Sequence, residues 1–550
     1  MSRNYLQIHT DDNVVVALQD LSAGLVCELA NQSVQLQHQI PAKHKFTLKE
    51  LSKGAQVIMY GVVVGTCMEE IPKGGLVGTH NVAHKASSYS IQSMEMSWVP
   101  PDVTKWREKT FDGYHRKDGS VGTANYWLVV PLVFCENRNL DVISEALCES
   151  LGYPTKKDFR VNTQALVDGY KSGASVDELM ELSIVSTRDE LVHTRQFPNV
   201  DGIKFLKHQG GCGGSPDDLT MLCNLLAGYI THSNVAGATI LSLGCQHAQI
   251  ELMQQTISKK DPNFDKPVYY LEQQKSKDER SFIEDAVKQT FIGLTQANQI
   301  SRKPAPLHHI KLGLECGGSD GFSGISANPA LGYTSDLLVA LGGTAILSEF
   351  PELNGVEQEL VNRCTSRELA QKFSDLMSAY SKSAQAVNAG FENNPSPGNI
   401  KDGLITDAIK SAGAAKKAGT SPINEVLDYG ESSRIPGLSL LCTPGNDVES
   451  TTGLAGSGAN IMVFTTGLGT PTGNPIAPVI KMSTNNKLYQ KMADIIDINA
   501  GTIISGDSTI QEKGEELLDY IIEVASGNSI PAAVRLLQED FIPWKRGVSL

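Results

Sequence analysis

The sequence predicts an α/β protein: a small β-rich module at the N-terminus, then a large α/β region in two parts. Three observations carry this. Short apolar runs ("NVVVAL", "LVCELA", "VQLQHQI", "QVIMYGVVVG") separated by Gly, Asn, Lys and Asp fill the opening of the chain, as in a β module. Further on, apolar runs of strand length each end in a polar or glycine-rich turn and lead into a helical pattern, the alternation that builds a largely parallel sheet. Between the two textures, Pro100 and Pro101 break regular structure within "SWVPPDVTKWREKTFDGYHRKDG". The expected division is residues 1–97, a linker over 98–111, a second domain over 112–305 and a C-terminal domain over 306–550.

In order, "FTLKELSKG" predicts one helix inside the module, with Thr47 as cap and Glu50 completing a capping box. "YWLVVPLVFCENRN" leads into "LDVISEALCESLG", "GIKFLKHQGGCGGSPDD" into "LTMLCNLLAGYI", and "ATILSLGCQHAQ" into "IELMQQTIS". "IKLGLECGGSDG", "TAILSEFPEL" and "NIMVFTTGLGTP" repeat the strand-then-loop theme, and "KSAGAAKKAGTS" reads as an Ala-rich helix tail and turn.

The chain has 550 residues and a formal net charge of -14, so it can bury large cores and carries no nucleic-acid footprint. No run approaches the ~18–20 apolar residues of a membrane span, and "MSRNYLQIHTDDN" lacks the apolar core of a signal peptide, so a cytoplasmic protein is expected. Ten cysteines in such a chain are core residues, metal ligands or reactive thiols rather than a disulfide framework.

Ligands of open α/β sheets bind beyond the carboxyl ends of the strands. Cys135, Cys212, Cys245 and Cys316 all fall in loops at such ends, so they could converge on a metal; without a CxxC pair, burial as small hydrophobes is the alternative. The stretches "HQGGCGGSPDD", "LECGGSDGFSGI", "ENNPSPGN", "CTPGNDVES" and "TTGLGTPTGN" suit an anionic, hydroxylated ligand, because backbone N–H groups bind a carboxylate and short polar side chains match hydroxyls. None is a P-loop or a dinucleotide fingerprint. His44, His80 and His208 lie beside turns, where a histidine is a base, a ligand or a plain surface residue; Asp320, Glu349, Glu352 and Asp447 are carboxylates in comparable loops.

In this order, "IHTDDNVVVAL", "KHKFTLKEL", "YGVVVG", "THN", "DGSVGTAN", "GGC", "LGC", "LECGGSDGFSGISANPALGYTSD", "NPSPGN", "TPGND", "GTP" and "INAGT" resemble the altronate and galactarate dehydratase family almost end to end. The resemblance implies an N-terminal SAF-type module on a two-part catalytic region. It also implies loss of water from an aldonic or aldaric acid, D-altronate above all, giving a 2-keto-3-deoxy acid. Its cofactor would be a divalent metal, Fe(II) or Mn(II), with an iron–sulfur cluster as a further form.

Mapped onto this chain, His44, Lys45 and His80 become proton-transfer or metal-side groups. Asn125, His208, Ser319, Asp320, Asn328, Asn399, Asn446, Asp447 and Thr470 become substrate contacts, and Cys135, Cys212, Cys245 and Cys316 metal ligands. The partner is a small sugar acid, with room for a homo-oligomer.

Four positions depart from the family pattern: Gly78 where a histidine is usual, Ala124 and Leu468 where a basic residue is, and Gln246 in place of Glu. A lost arginine weakens or redirects carboxylate recognition. Galactarate, another 2-hydroxy acid, or binding without turnover are therefore the alternatives.

Overall fold

The computed structural model describes residues 4–30, 32–85, 88–91, 97–153, 159–187 and 195–549. The N-terminal module is made of short antiparallel strands in small sheets of two, three and four strands. At its centre Val14–Ala17 is buried on both faces and pairs with Lys45–Thr47 in register Val15↔Phe46. The helix expected at "FTLKELSKG" does not form. Phe46 is wholly buried in a strand, and the Thr47 hydroxyl donates to the Pro72 carbonyl (2.6 Å) instead of capping. Leu51 then bridges to Ile71, so the segment is consumed by sheet pairing.

Residues 98–109 are pinned to the body: Trp106 is buried and its indole N–H donates to Asp519 (2.8 Å). Thr110–His115 next pairs antiparallel with Lys303–Pro306, which joins the start of the second body to the start of the third.

The second body is a parallel sheet of β1 (Tyr126–Pro131), β2 (Gly202–Phe205), β3 (Val235–Ser242) and β4 (Val268–Glu272), in spatial order β2-β1-β3-β4. Helices α1 (Asn137–Ser150), α2 (Pro216–Thr231), α3 (Ile250–Lys260) and α4 (Glu279–Ala297) cover it. All residues of β1 and β3 are buried, as expected of strands covered on both faces. The order reverses between β1 and β3.

The third body is a larger parallel sheet. Its strands are β5 (Lys311–Cys316), β6 (Thr344–Leu347), β7 (Ile423–Leu427), β8 (Gly437–Leu441), β9 (Ile461–Thr466), β10 (Val479–Ser483) and β11 (Ile498–Asn499). They lie in the order β7-β8-β6-β5-β9-β10-β11, so the direction of winding reverses between β5 and β9. A crevice at such a reversal is where ligands of open α/β sheets bind. Helices α5 (Ala327–Ala340), α6 (Asp407–Ala414) and α7 (Asp447–Gly456) surround that edge.

The two α/β bodies are tied by buried amides. Asn234, wholly buried, accepts from Thr123 N (2.7 Å) and donates to the carbonyls of Asn460 (3.0 Å) and Ile476 (2.8 Å). Replacing Asn234 by Ala leaves buried backbone groups unpartnered at about 1–3 kcal/mol. Asn234→Ala should therefore lower the urea midpoint of this domain pair; an unchanged midpoint would show that the tie carries no stability.

Candidate active site

The loop after β5 reads Cys316-Gly317-Gly318-Ser319-Asp320 and interlocks with the loop after β9: Gly317 N donates to Thr465 O (3.1 Å), and Gly467 N and Leu468 N both donate to Gly318 O (3.0 and 2.9 Å). Glycine is required at 317 because a Cβ there would lie 2.0 Å from the Asp447 carboxylate. The Gly-rich stretch is thus a wall against which side chains from four loops are packed.

Behind that wall lies a buried charge network. Lys417 Nζ donates to Glu349 Oε2 (2.7 Å) and Cys316 Sγ (2.9 Å), and Lys410 Nζ to Glu352 Oε1 (2.5 Å) and Asn394 Oδ1 (2.9 Å). Ser348 and Ser450 donate to Glu315 below (2.9 and 2.7 Å). Glu349 holds a left-handed backbone (φ 67°), fixed by its N–H donating to Thr443 Oγ1 (2.8 Å). The left-handed turn aims the buried Glu349 carboxylate at Lys417, and residues held in such sparsely populated conformations cluster at functional sites.

Burial works against every charge here, and the pairings decide the outcome. Burial pushes Lys417 and Lys410 down, but Cys316 and then Glu349 beside Lys417, and Glu352 beside Lys410, hold both ammoniums well above the usual lysine range. Burial raises Glu315 and Glu349, whereas Glu352, with Lys410 and Lys417 beside it, lies below the usual value. Burial, which outweighs Lys417, keeps the Cys316 thiol protonated. At the edge of the network, half-buried Asp447 is pushed up to about 7, first by burial and then by Glu349 and Glu352. Near Asp447 the buried Lys481, over the Phe464 ring at 3.6 Å, is lowered to about 7 by burial, and its Nζ has no hydrogen-bond partner.

A second polar group adjoins. Asp320 accepts from Thr484 Oγ1 (2.9 Å) and Asn485 Nδ2 (3.1 Å) and pairs with Lys43 of the N-terminal module (3.0 Å), which also reaches Asp402 (2.5 Å). Asn399 donates to the Ser319 carbonyl (2.7 Å), and the buried Ser319 hydroxyl has no partner. Thr470 N donates to Thr466 Oγ1 (3.1 Å) at the rim, next to exposed Leu468.

The structure therefore brings Cys316, Ser319, Asp320, Asn399, Asp447 and Thr470 to one sheet edge, and gives the other candidates different surroundings. Asn125 is an interior strut donating to Asn199 O (2.7 Å) and Ala297 O (3.1 Å), and Asn328 donates to Gly413 O (2.9 Å) while accepting from Thr465 Oγ1 (2.6 Å). Buried His208 contacts the Pro131 carbonyl (2.7 Å) and is lowered to about 4 by burial, so it braces a loop as a neutral ring. Exposed Asn446 is the N-cap of α7, accepting from Val448 N and Glu449 N. His80 stands exposed on the module, its ring over Gly78.

His44 meets the Lys401 carbonyl (3.1 Å), and buried Lys45 donates to the Gly403 carbonyl (2.5 Å); burial lowers both, Lys45 to about 7. They fasten the module to the third body, and it is Lys43 that reaches the Asp320 cluster. Of the departures from the family pattern, Ala124 is buried in the core between the bodies, and Gln246 braces its own loop through Ser242 Oγ (2.7 Å) and Gly244 N (2.7 Å).

The four thiols do not share one ion. Among the described residues, the three-ligand group whose donor atoms lie within 4.8 Å of one another is Cys316, Glu349 and Glu352. This group could hold a divalent metal: Glu349 Oε1 is buried without a partner, and two carboxylates with a thiol suit a borderline ion. The position is contested by Lys417, whose ammonium already bonds two of the three donors, so an ion would have to displace it.

The sequence reading missed Lys410, Lys417 and Lys481. Lys410 and Lys417 lie in the Ala-rich stretch, where small residues let α6 approach the sheet edge: Gly413 packs on Gly324. Paired lysines in a run of Ala and Gly were the available signal.

Three family models match the chain: the altronate/galactarate dehydratase SAF domain over residues 3–85, the D-galactarate dehydratase/altronate hydrolase second domain over 113–298, and the D-galactarate/altronate dehydratase C-terminal domain over 307–549. The chain is 32% identical to altronate dehydratase of Escherichia coli K12 (95% of each chain) and 32% identical to altronate dehydratase of Bacillus subtilis 168 (100% of each). It is 31% identical to galactarate dehydratase (L-threo-forming) of E. coli K12, over 95% of this chain and 93% of the relative.

Breaking one partner of a buried ion pair costs about 3–5 kcal/mol, because the other is left uncompensated. Lys417→Met should lose about that much stability in denaturant titration, and Lys417→Met/Glu349→Gln should recover part of it. A double variant as unstable as the sum of the singles would show that the two charges are not coupled.

Proposed function

Because the chain belongs to the altronate and galactarate dehydratase family, we propose that it removes water from a sugar acid, an altronate-like hexonate, to give a 2-keto-3-deoxy acid. The observation that carries the assignment of the site is a half-buried carboxyl poised near neutrality, Asp447, at the border of the network that fixes Lys410 and Lys417, at the reversal of the large sheet.

The reaction needs a base for the proton α to the carboxylate, a field for the negative charge that follows, and assistance for the departing β-hydroxyl. Asp447 as carboxylate takes the Cα proton; with a pKa of about 7 it is both deprotonated enough to act and basic enough to accept. Lys410 and Lys417 are the ammonium donors nearest that charge, and they need no reorganisation because Glu352 and Glu349 already hold them in place. The unpartnered Ser319 hydroxyl is available to a substrate hydroxyl. A divalent metal, Fe(II) or Mn(II), would be held by Cys316, Glu349 and Glu352 in place of the Lys417 ammonium, with Lys410 kept by Glu352, and would supply Lewis acidity toward the leaving hydroxyl. The enol left by elimination ketonises to the 2-keto-3-deoxy product.

Leu468 is 40% exposed beside Thr470, where the resemblance puts a basic side chain. Loss of that charge weakens carboxylate recognition at this rim, and it is the likeness to two altronate dehydratases over nearly the whole chain that favours altronate as substrate. Anaerobic assays with Fe(II) or Mn(II) should release 2-keto acid from altronate faster than from galactarate. No turnover with any aldonic or aldaric acid would overturn the dehydratase reading.

A base titrating near 7 fixes the sign of the pH dependence. kcat/KM should fall about tenfold per pH unit below about pH 7 as Asp447 gains its proton. Asp447→Asn should lower kcat by about 10²–10⁴ and abolish that limb. An intact acidic limb in Asp447→Asn would move the base elsewhere.

A further inference from the structure

The large sheet is not the only one with a reversal of strand order and a cysteine beyond it. In the second body β1 and β3 flank the reversal, and the loops that follow β2, β1 and β3, three adjacent parallel strands, carry Cys212, Cys135 and Cys245. These three are the exposed cysteines of the ten; the other seven are buried. Cysteine is ordinarily among the most buried residue types, so three exposed thiols on one sheet edge are not explained by packing.

The loops are built against one another. Phe134 N donates to Gly210 O (3.1 Å) and Ala248 N to Gly211 O (3.2 Å). Gly211 (φ 99°) approaches so closely that a Cβ would lie 2.0 Å from the Leu132 carbonyl oxygen, so the Cys212 loop is seated directly on the Cys135 loop. Gln246 clasps the Cys245 loop through Gly244 N, Ser242 Oγ and the Ala248 carbonyl (3.0 Å). Beside Cys135, the wholly buried Glu136 leaves Oε1 without a partner. Cys212 and His247, in contact at 3.4 Å, open onto a cavity of about 780 Å³ that also receives Lys207, His208 and Lys545.

Two ligand classes bind thiolates in this way, and the geometry separates them. A single tetrahedral ion with metal–sulfur bonds of ~2.3 Å draws its sulfurs to within about 4 Å of one another. The three thiols do not form a set within 4.8 Å, so they are not arranged around one ion. A polynuclear iron–sulfur cluster spans a wider set of thiolates.

We propose that Cys135, Cys212 and Cys245 bind three irons of a [4Fe–4S] cluster, each thiol losing its proton, and that the fourth iron has no cysteine ligand. The Cys316 group is a separate site. An iron without a protein thiolate is free to take an oxygen ligand from the cavity, where Lys207 and Lys545 offer positive charge to an anion. The cluster does not rest on the dehydratase reading, which places the elimination at the carboxyl edge of the large sheet.

The full chain, reconstituted anaerobically with sulfide and an equal mixture of ferric and ferrous iron, which supplies the mixed-valent core, should hold about four irons and four acid-labile sulfides with a broad visible charge-transfer band. Reconstitution should protect Cys135, Cys212 and Cys245 from iodoacetamide, read by peptide mass spectrometry, a measurement that needs no variant. Cys135→Ser, Cys212→Ser and Cys245→Ser should each lose most of the labile sulfide while the apo-protein melts at an unchanged temperature. Bound iron or zinc without sulfide, or alkylation of the three thiols undiminished by reconstitution, would overturn the proposal. A full cluster without turnover on any sugar acid would leave the cluster standing and overturn the dehydratase reading.

Discussion

Everything at the carboxyl edge of the large sheet is arranged around two buried ammoniums. Lys417 is 1% exposed and its carboxylate partner Glu349 is 0% exposed, so neither can be left alone. The desolvation cost of each ion is several kcal/mol and is offset only by close pairing and full hydrogen bonding. This constraint reaches outward. Glu349 must adopt a left-handed backbone to face Lys417, and Thr443 must hold it there. The lysines come from a segment whose Ala and Gly residues allow close approach. Gly317 must lack a side chain so that Asp447 can lie against the network. The result is a network of paired charges fixed before any ligand arrives, with one carboxyl near neutrality at its border.

The fold repeats this logic at two scales. Both parallel sheets reverse their winding, at β1/β3 and at β5/β9, and both reversals are lined by loops with cysteine and glycine. The buried amides of Asn234 and Asn460 lock the sheets together, so the two edges keep a fixed relation. The N-terminal module closes over the third body through Lys43, His44 and Lys45, and only Lys43 enters the charge cluster. The module contributes to the site with one residue and to its rigidity with two.

Much of this was legible in the residues. The strand-then-glycine-loop alternation placed the sheets and their ligand-binding edges, and "LECGGSDGFSGI" marked the wall of the site because so dense a run of glycine makes sense only where other groups approach the backbone. Tertiary pairing overrode local signals elsewhere: Thr47 sits where a helix cap is expected, and the sheet takes its hydroxyl. The Ala-rich segment around Lys410 and Lys417 reads as a helix tail because the carboxylates that give its lysines meaning lie far away in sequence, on the loop after β6. For the same reason four loop cysteines looked alike, although one is buried beside carboxylates and three are exposed on another sheet.

The central claim is that the carboxyl edge of the large sheet performs the proton abstraction, through Asp447 at the border of the Lys410 and Lys417 network. It is tested most directly by following deuterium at Cα of altronate in D₂O during partial turnover. The account predicts that the metal-loaded enzyme exchanges or eliminates the Cα proton and that Asp447→Asn, with equal substrate binding, does neither. Undiminished Cα exchange in Asp447→Asn would place the base outside this network.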